Sequence, residues 1–189
     1  MSLAAVQFES DRPAAEPRKA HVIQGEYLIS DDPDLVMTTI LGSCVAACVR
    51  DPIARVGGMN HFLLPGATGD EGLRYGVQSM ELLVNGLLMR GARRDRLEVK
   101  LFGGARLING LTDVGSQNAA FAGRFIKDEG LSHAGGSLRG TQARRIQYWP
   151  VSGRARQVLL EATDSRVVAA ERRRPAPPPI DQSGALELF

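Results

Sequence analysis

Short apolar runs broken by turn residues alternate along this chain with two longer stretches of helical period. Val22-Ile23-Gln24-Gly25-Glu26-Tyr27-Leu28-Ile29 reads as a strand interrupted by a bulge or turn at Gly25. Ser30-Asp31-Asp32-Pro33-Asp34 supplies turn chemistry before the apolar run Leu35–Leu41. Val45–Val49 and Val56–Leu64 are two further apolar segments, and Asp51-Pro52 between them predicts a hairpin. In Glu71–Met89, Leu73, Val77, Met80, Leu83, Val84, Leu87 and Leu88 recur at helical spacing, with Gly91 as a stop. Leu97–Phe102 reads as a strand closed by Gly103-Gly104. Val114–Gly130 predicts a second helix through Ala119, Ala122, Phe125 and Ile126, capped by Ser116 and ended by Gly130. Arg145–Pro150 is a short strand followed by a turn at Ser152-Gly153. Hairpin-type strands interspersed with helices predict a layered α/β (α+β) fold, mixed β-sheets packed against helices, rather than a bundle.

Composition narrows the class. The chain has 189 residues, enough for one well-filled core and short for two. Residues 1–19 mix Pro13, Pro17, charges and alanines without period and read as a flexible leader. Residues 20–165 form the expected domain, and 166–189 an Arg/Pro-rich linker and tail, with Arg172-Arg173-Arg174-Pro175 leading to Leu186-Glu187-Leu188-Phe189. A net charge of +2 does not call for nucleic acid or a membrane surface. The short arginine run reads as soluble linker, although a contact with an acidic partner is open to it, and the terminal apolar residues are a candidate docking peptide. Two cysteines point to a reducing compartment. With no recognisable signal peptide and no run of about 18 apolar residues, the expectation is a soluble cytoplasmic protein.

The candidate chemistry lies in the first half. Cys44 follows Gly42-Ser43, small residues that leave room for a substrate, and His61 is one of three histidines. A thiol needs a neighbouring base or positive charge to become a nucleophile. If Pro52-Ile53 is the centre of a two-residue turn, Asp51 faces Ala54 and Cys44 falls opposite His61, where partner Cβ atoms lie about 4.5–5.5 Å apart. A bulge at Gly57-Gly58 would shift that register by one. The competing reading is structural, because free cysteines are often buried as small hydrophobes and a lone histidine is commonly a satisfied core residue. Cys48 reads as core: along a strand it stands about 13 Å from Cys44, beyond the roughly 7 Å Cα limit for a disulfide. Two cysteines also fall short of a zinc ligand set. Gly57-Gly58 and Gly103-Gly104-Ala105 match neither a dinucleotide fingerprint nor a P-loop, and indicate close backbone packing or room for a substrate segment.

Taken in order, these motifs become specific. Thr38-Thr39-Ile40-Leu41-Gly42-Ser43-Cys44-Val45-Ala46-Ala47-Cys48, Asp51-Pro52 and Gly57-Gly58-Met59-Asn60-His61-Phe62-Leu63-Leu64-Pro65 strongly resemble the CheD family of bacterial chemotaxis. The resemblance continues through Arg74-Tyr75-Gly76, Lys100–Ala105, Gly115 with Asn118, and Gly135-Gly136, spanning residues 20–160. It departs at Ala143, where a glycine is expected. It implies a cysteine-hydrolase-like fold similar to the deamidating domain of cytotoxic necrotizing toxins. It also implies an amidohydrolase activity, conversion of chemoreceptor glutamines to glutamates without metal or organic cofactor. The resemblance assigns Cys44 as nucleophile, His61 as base and Thr38 as the third polar member; Gly42, Ser43 and Cys44 amides are candidates for the oxyanion. His133 is the alternative base. The implied partners are the cytoplasmic helices of chemotaxis receptors and a CheC-type phosphatase, which leaves a non-catalytic adaptor as the second reading.

Overall fold

The computed structural model describes residues 18–64, 70–107 and 113–161. The elements in chain order are β1 (Arg18–His21), β2 (Tyr27–Ser30), β3 (Leu35–Leu41), β4 (Val45–Asp51), β5 (Val56–Asn60), α1 (Asp70–Met89), β6 (Glu98–Gly103), α2 (Val114–Asp128), β7 (Ser132–Leu138), β8 (Arg144–Tyr148) and β9 (Ala155–Leu159). Most of the leader, the stretch 162–189 with its arginine run and apolar end, and Pro65 lie outside the described residues.

The strands form two mixed sheets, ordered β1-β3-β8-β9 and β2-β5-β4-β6-β7. The β1–β3 and β6–β7 pairs are parallel and the others antiparallel. This is the α+β layering expected from the sequence, with mixed sheets and two helices. β4 is the central strand, and its alternation divides the core. Val45, Ala47 and Val49 join Phe62, Met80, Leu83, Leu87, Phe121 and Phe125 under the helices. Cys44, Ala46 and Cys48 join Met37, Leu41, Met59, Ile146 and Tyr148 between the sheets. Side chains in a strand alternate faces, so one residue pattern serves both layers.

Several local expectations change in the structure. Of the interrupted strand expected over Val22–Ile29, only Tyr27–Ile29 is strand, in β2; Val22–Glu26 is the connection from β1, which ends at His21. β1 belongs to the four-stranded sheet, β2 to the five-stranded one, and the chain crosses between them at a turn on Gly25. The cap of α2 is Asp113, whose Oδ1 accepts from the Ser116 amide at 3.0 Å while Oδ2 accepts from the Ser116 hydroxyl at 2.7 Å. A carboxylate is held below its usual range by those two bonds. The hairpin loop is four residues, 52–55, not two, so Asp51 pairs with Val56. The cause is the Asp51 side chain: Oδ1 accepts from the Ile53 and Ala54 amides at 2.8 and 3.0 Å. That closes an Asx-type turn and leaves Arg55 at φ 56°. The register moves by two residues, and a shift of two keeps every side chain on its expected face.

Candidate active site

Both candidate groups end up between the sheets. Val45 and Phe62 form an isolated antiparallel bridge, each amide donating to the other's carbonyl at 2.9 Å. Cys44 therefore stands opposite Leu63, and His61 is its diagonal neighbour on the same face. Diagonal Cβ pairs lie about 7–8 Å apart or somewhat less, within reach of an aromatic ring. His61 shares that face with Met59 of the inter-sheet cluster, while Asn60 and Phe62 turn to the helices. Cys44 and His61 are 0% and 3% exposed. Burial among apolar side chains pushes the Cys48 thiol far up despite the nearby Lys100. His133 sits exposed on β7, at the edge of the five-stranded sheet.

The imidazole is held by two oxygens at one nitrogen. Thr39 Oγ1 lies 2.9 Å from His61 Nδ1, and the Val22 carbonyl oxygen lies 3.3 Å from it. A carbonyl only accepts, so these partners assign the proton to Nδ1 and the basic lone pair to Nε2. Thr38, given the third polar role by the sequence resemblance, is elsewhere: its hydroxyl donates to the Ile146 carbonyl at 2.9 Å across β3 and β8. Thr39 lies on the row of β3 that also carries Met37 and Leu41, both of the inter-sheet cluster. Period-two alternation from those apolar neighbours is the sequence signal that points to Thr39.

The Gly42–Cys44 loop has all three carbonyls tied back to the scaffold. Gly42 O accepts from the Ala105 amide at 2.9 Å and Cys44 O from the Gly104 amide at 2.7 Å. Ser43 O accepts from Asn118 Nδ2 at 2.9 Å. In a trans peptide the next N–H points opposite to the carbonyl, so Ser43 and Cys44 N–H are aimed away from the Gly103–Ala105 strand end and from α2. Only glycine fits at 103, where φ is 108° and a Cβ would stand 2.1 Å from Cys44 O. Asn118 is fully buried, and its Oδ1 accepts from the Leu64 amide at 2.9 Å. One side chain of α2 thus clamps the cysteine loop to the segment just past His61. Its signal in the sequence was its place in the Gly115/Asn118 motif; the role was invisible there.

One further side chain reaches the thiol, and a second feels its charge. Gln24 Oε1 accepts from Cys44 Sγ at 3.5 Å. Tyr75 of α1 has its hydroxyl pushed up, first by burial and then by negative charge on Cys44. The sequence reading gave Gln24 no role, and named Tyr75 only within the Arg74-Tyr75-Gly76 motif. Among the described residues no group of three or more His, Cys, Asp or Glu is placed to hold a metal ion. No described helix is long and apolar enough to cross a membrane.

Comparison with known proteins gives this geometry a context. A family model described as CheD chemotactic sensory transduction matches residues 63–158, beginning just past His61. The "Probable chemoreceptor glutamine deamidase CheD" of Agrobacterium fabrum is 55% identical over 178 residues, covering 93% of this chain and 98% of that protein. The protein of the same name from Acidiphilium cryptum is 57% identical over 188 residues, covering 93% of this chain and 97% of its own. A crystal structure of a Neisseria meningitidis protein of the DUF152 family aligns at a TM-score of 0.44 and 10% identity, over 65% of this chain and 64% of that one. That likeness is too slight to bear on the site. The Agrobacterium and Acidiphilium relatives match at 55% and 57% identity over 93% of this chain, and on them the chain belongs to the CheD family.

Proposed function

We propose that this protein hydrolyses the side-chain amide of selected glutamines on chemotaxis receptors, converting them to glutamates. The observation that carries the reading is the convergence of Cys44 and His61 on one face between the sheets, with Nδ1 of the imidazole already held by Thr39 and Val22. The names of the relatives supply the substrate class. In this mechanism His61 Nε2 takes the thiol proton, and the Cys44 thiolate attacks the amide carbon. The Ser43 and Cys44 amides are the donors for the developing oxyanion, in a loop whose carbonyls are already immobilised. The imidazolium returns its proton to the departing nitrogen, ammonia leaves, and the C–N bond is replaced by a thioester. Water, deprotonated by His61, then hydrolyses the thioester to glutamate and regenerates the thiol. Thr39, not Thr38, orients the imidazole. On this reading the substrate is the helical cytoplasmic region of the receptors, the work is done in the cytoplasm, and a CheC-type phosphatase is the expected further partner.

The test is mass spectrometry of a receptor cytoplasmic fragment incubated with wild-type protein or with Cys44→Ala. A +1 Da shift at glutamines with wild type and none with the variant is the expected result. No shift with wild type would leave receptor binding without catalysis, the adaptor reading, as the better account.

A further inference from the structure

The turn that carries Gln24 is built onto the histidine rather than onto the rest of the sheet edge. The Glu26 amide donates to the Ile23 carbonyl at 3.1 Å, and Gly25 takes φ 88°. That is a type II arrangement, with Gln24 at the corner and glycine where positive φ is required. The Gly25 amide donates to His61 O at 2.7 Å, and the His61 amide donates to Glu26 O at 3.0 Å. The backbone on both sides of Gln24 is therefore fixed to the residue assigned as base. From this corner the half-buried side chain reaches the thiol, its Oε1 accepting from Sγ at 3.5 Å. Cys44 is itself closed off from solvent, so a substrate carboxamide that reaches Sγ has to displace contacts such as this one.

We infer that Gln24 is a specificity residue that reads the leaving group: its Oε1 accepts a hydrogen bond from the substrate's NH2 and so selects amides over esters. This rests on the deamidation reading. Attack requires Sγ and the amide carbon to approach to about 3–3.5 Å, and the amide nitrogen is about 1.33 Å from that carbon. An acceptor already held beside Sγ, on backbone that cannot move away, stays within hydrogen-bond reach of that nitrogen when the substrate takes over the thiol contact. A glutamine side chain offers two N–H donors there, and departing ammonia offers more. An ester offers none, and the glutamate product sets its own oxygens against Oε1, which favours release. A buried acceptor left facing a group that cannot donate costs about 1–3 kcal/mol.

The experiment compares wild type with Gln24→Leu, which keeps the bulk and removes the acceptor. The substrates are two matched receptor peptides, one with glutamine and one with glutamate γ-4-nitrophenyl ester at the same position. We expect kcat/KM for the glutamine peptide to fall about tenfold, the loss of one such bond, while the ester rate holds or rises as the unmatched acceptor is removed. The rate of Cys44 alkylation by N-ethylmaleimide checks that the thiol is intact. An equal fall on both peptides would assign Gln24 to thiolate or oxyanion support and overturn the inference. An equal rise would make it a mere cover, and no change would make it a bystander; either overturns it too. Failure of wild type on the glutamine peptide would instead sink the deamidation reading itself.

Discussion

Asn118→Asp is the sharpest probe of how the site is assembled, because it changes one atom at the junction of the segments that carry Cys44 and His61. Asn118 donates to Ser43 O and accepts from the Leu64 amide, each at 2.9 Å, and is fully buried. The aspartyl side chain keeps the acceptor for Leu64 but sets a second oxygen against Ser43 O. Losing a buried donor and leaving that carbonyl unsatisfied costs about 2–3 kcal/mol at neutral pH. The loop next to Cys44 loosens with it, and a displacement near 1 Å costs on the order of 100-fold in rate. The effect carries its own pH signature. Burial and the facing carbonyl raise the pKa of the new carboxyl above its unfolded value of about 3.9. Protonated, it donates to Ser43 O, so the stabilisation is present below pH ~4 and is lost as pH rises through the folded pKa. Urea unfolding at pH 5 and pH 8, with deamidation rates at pH 8, measures both terms. A deficit of the same size at both pH values, or wild-type activity at pH 8, would refute the clamp.

Two other substitutions separate neighbouring roles. Thr39→Val removes an oxygen from His61 Nδ1 and is expected to lower kcat about tenfold, whereas Thr38→Val removes the bond to Ile146 O and is expected to cost about 1 kcal/mol of stability with kcat unchanged. The opposite pattern in steady-state kinetics and thermal unfolding would return the orienting role to Thr38. Asp51 governs acid stability: burial pulls its carboxyl up, but bonds from the Ala54 and Arg93 amides, the Arg96 guanidinium and the Ile53 amide bring it down to about 2. Its folded pKa is depressed, so it contributes on the order of 2 kcal/mol above pH ~4, lost as pH falls toward 2. Asp51→Asn is expected to flatten the wild-type decline between pH 4 and 2 in chemical denaturation, and an unchanged slope would count against this assignment.

Most of the elements were legible because their signals are local. The seven helical-period positions of Glu71–Met89 and the apolar runs of β3, β4 and β5 mark elements wherever the chain goes. β7 and β9 left no such signal. Ser132–Leu138 is a largely exposed edge strand containing two glycines, and Ala155–Leu159 is an edge strand with little burial, so neither needs an apolar alternation. The turn at Gly25 was visible as a break, but nothing local says that the chain leaves one sheet and joins the other.

The site divides in the same way. By itself the sequence singled out Cys44 and His61 as candidates, their shared face and, through the order of its motifs, the family. A face depends only on parity along a strand, which is why an error of two residues in the hairpin register left Cys44 and His61 together. Only the tertiary structure decided which threonine meets the imidazole, which side chain clamps the cysteine loop, and that Gln24 lies against the thiol. Thr39 lies on β3 and His61 just past β5 of the other sheet, 22 residues apart, and Asn118 and Ser43 are 75 residues apart. Those pairs form where the sheets and α2 pack together. The packing is fixed by the whole core, so no local pattern encodes them.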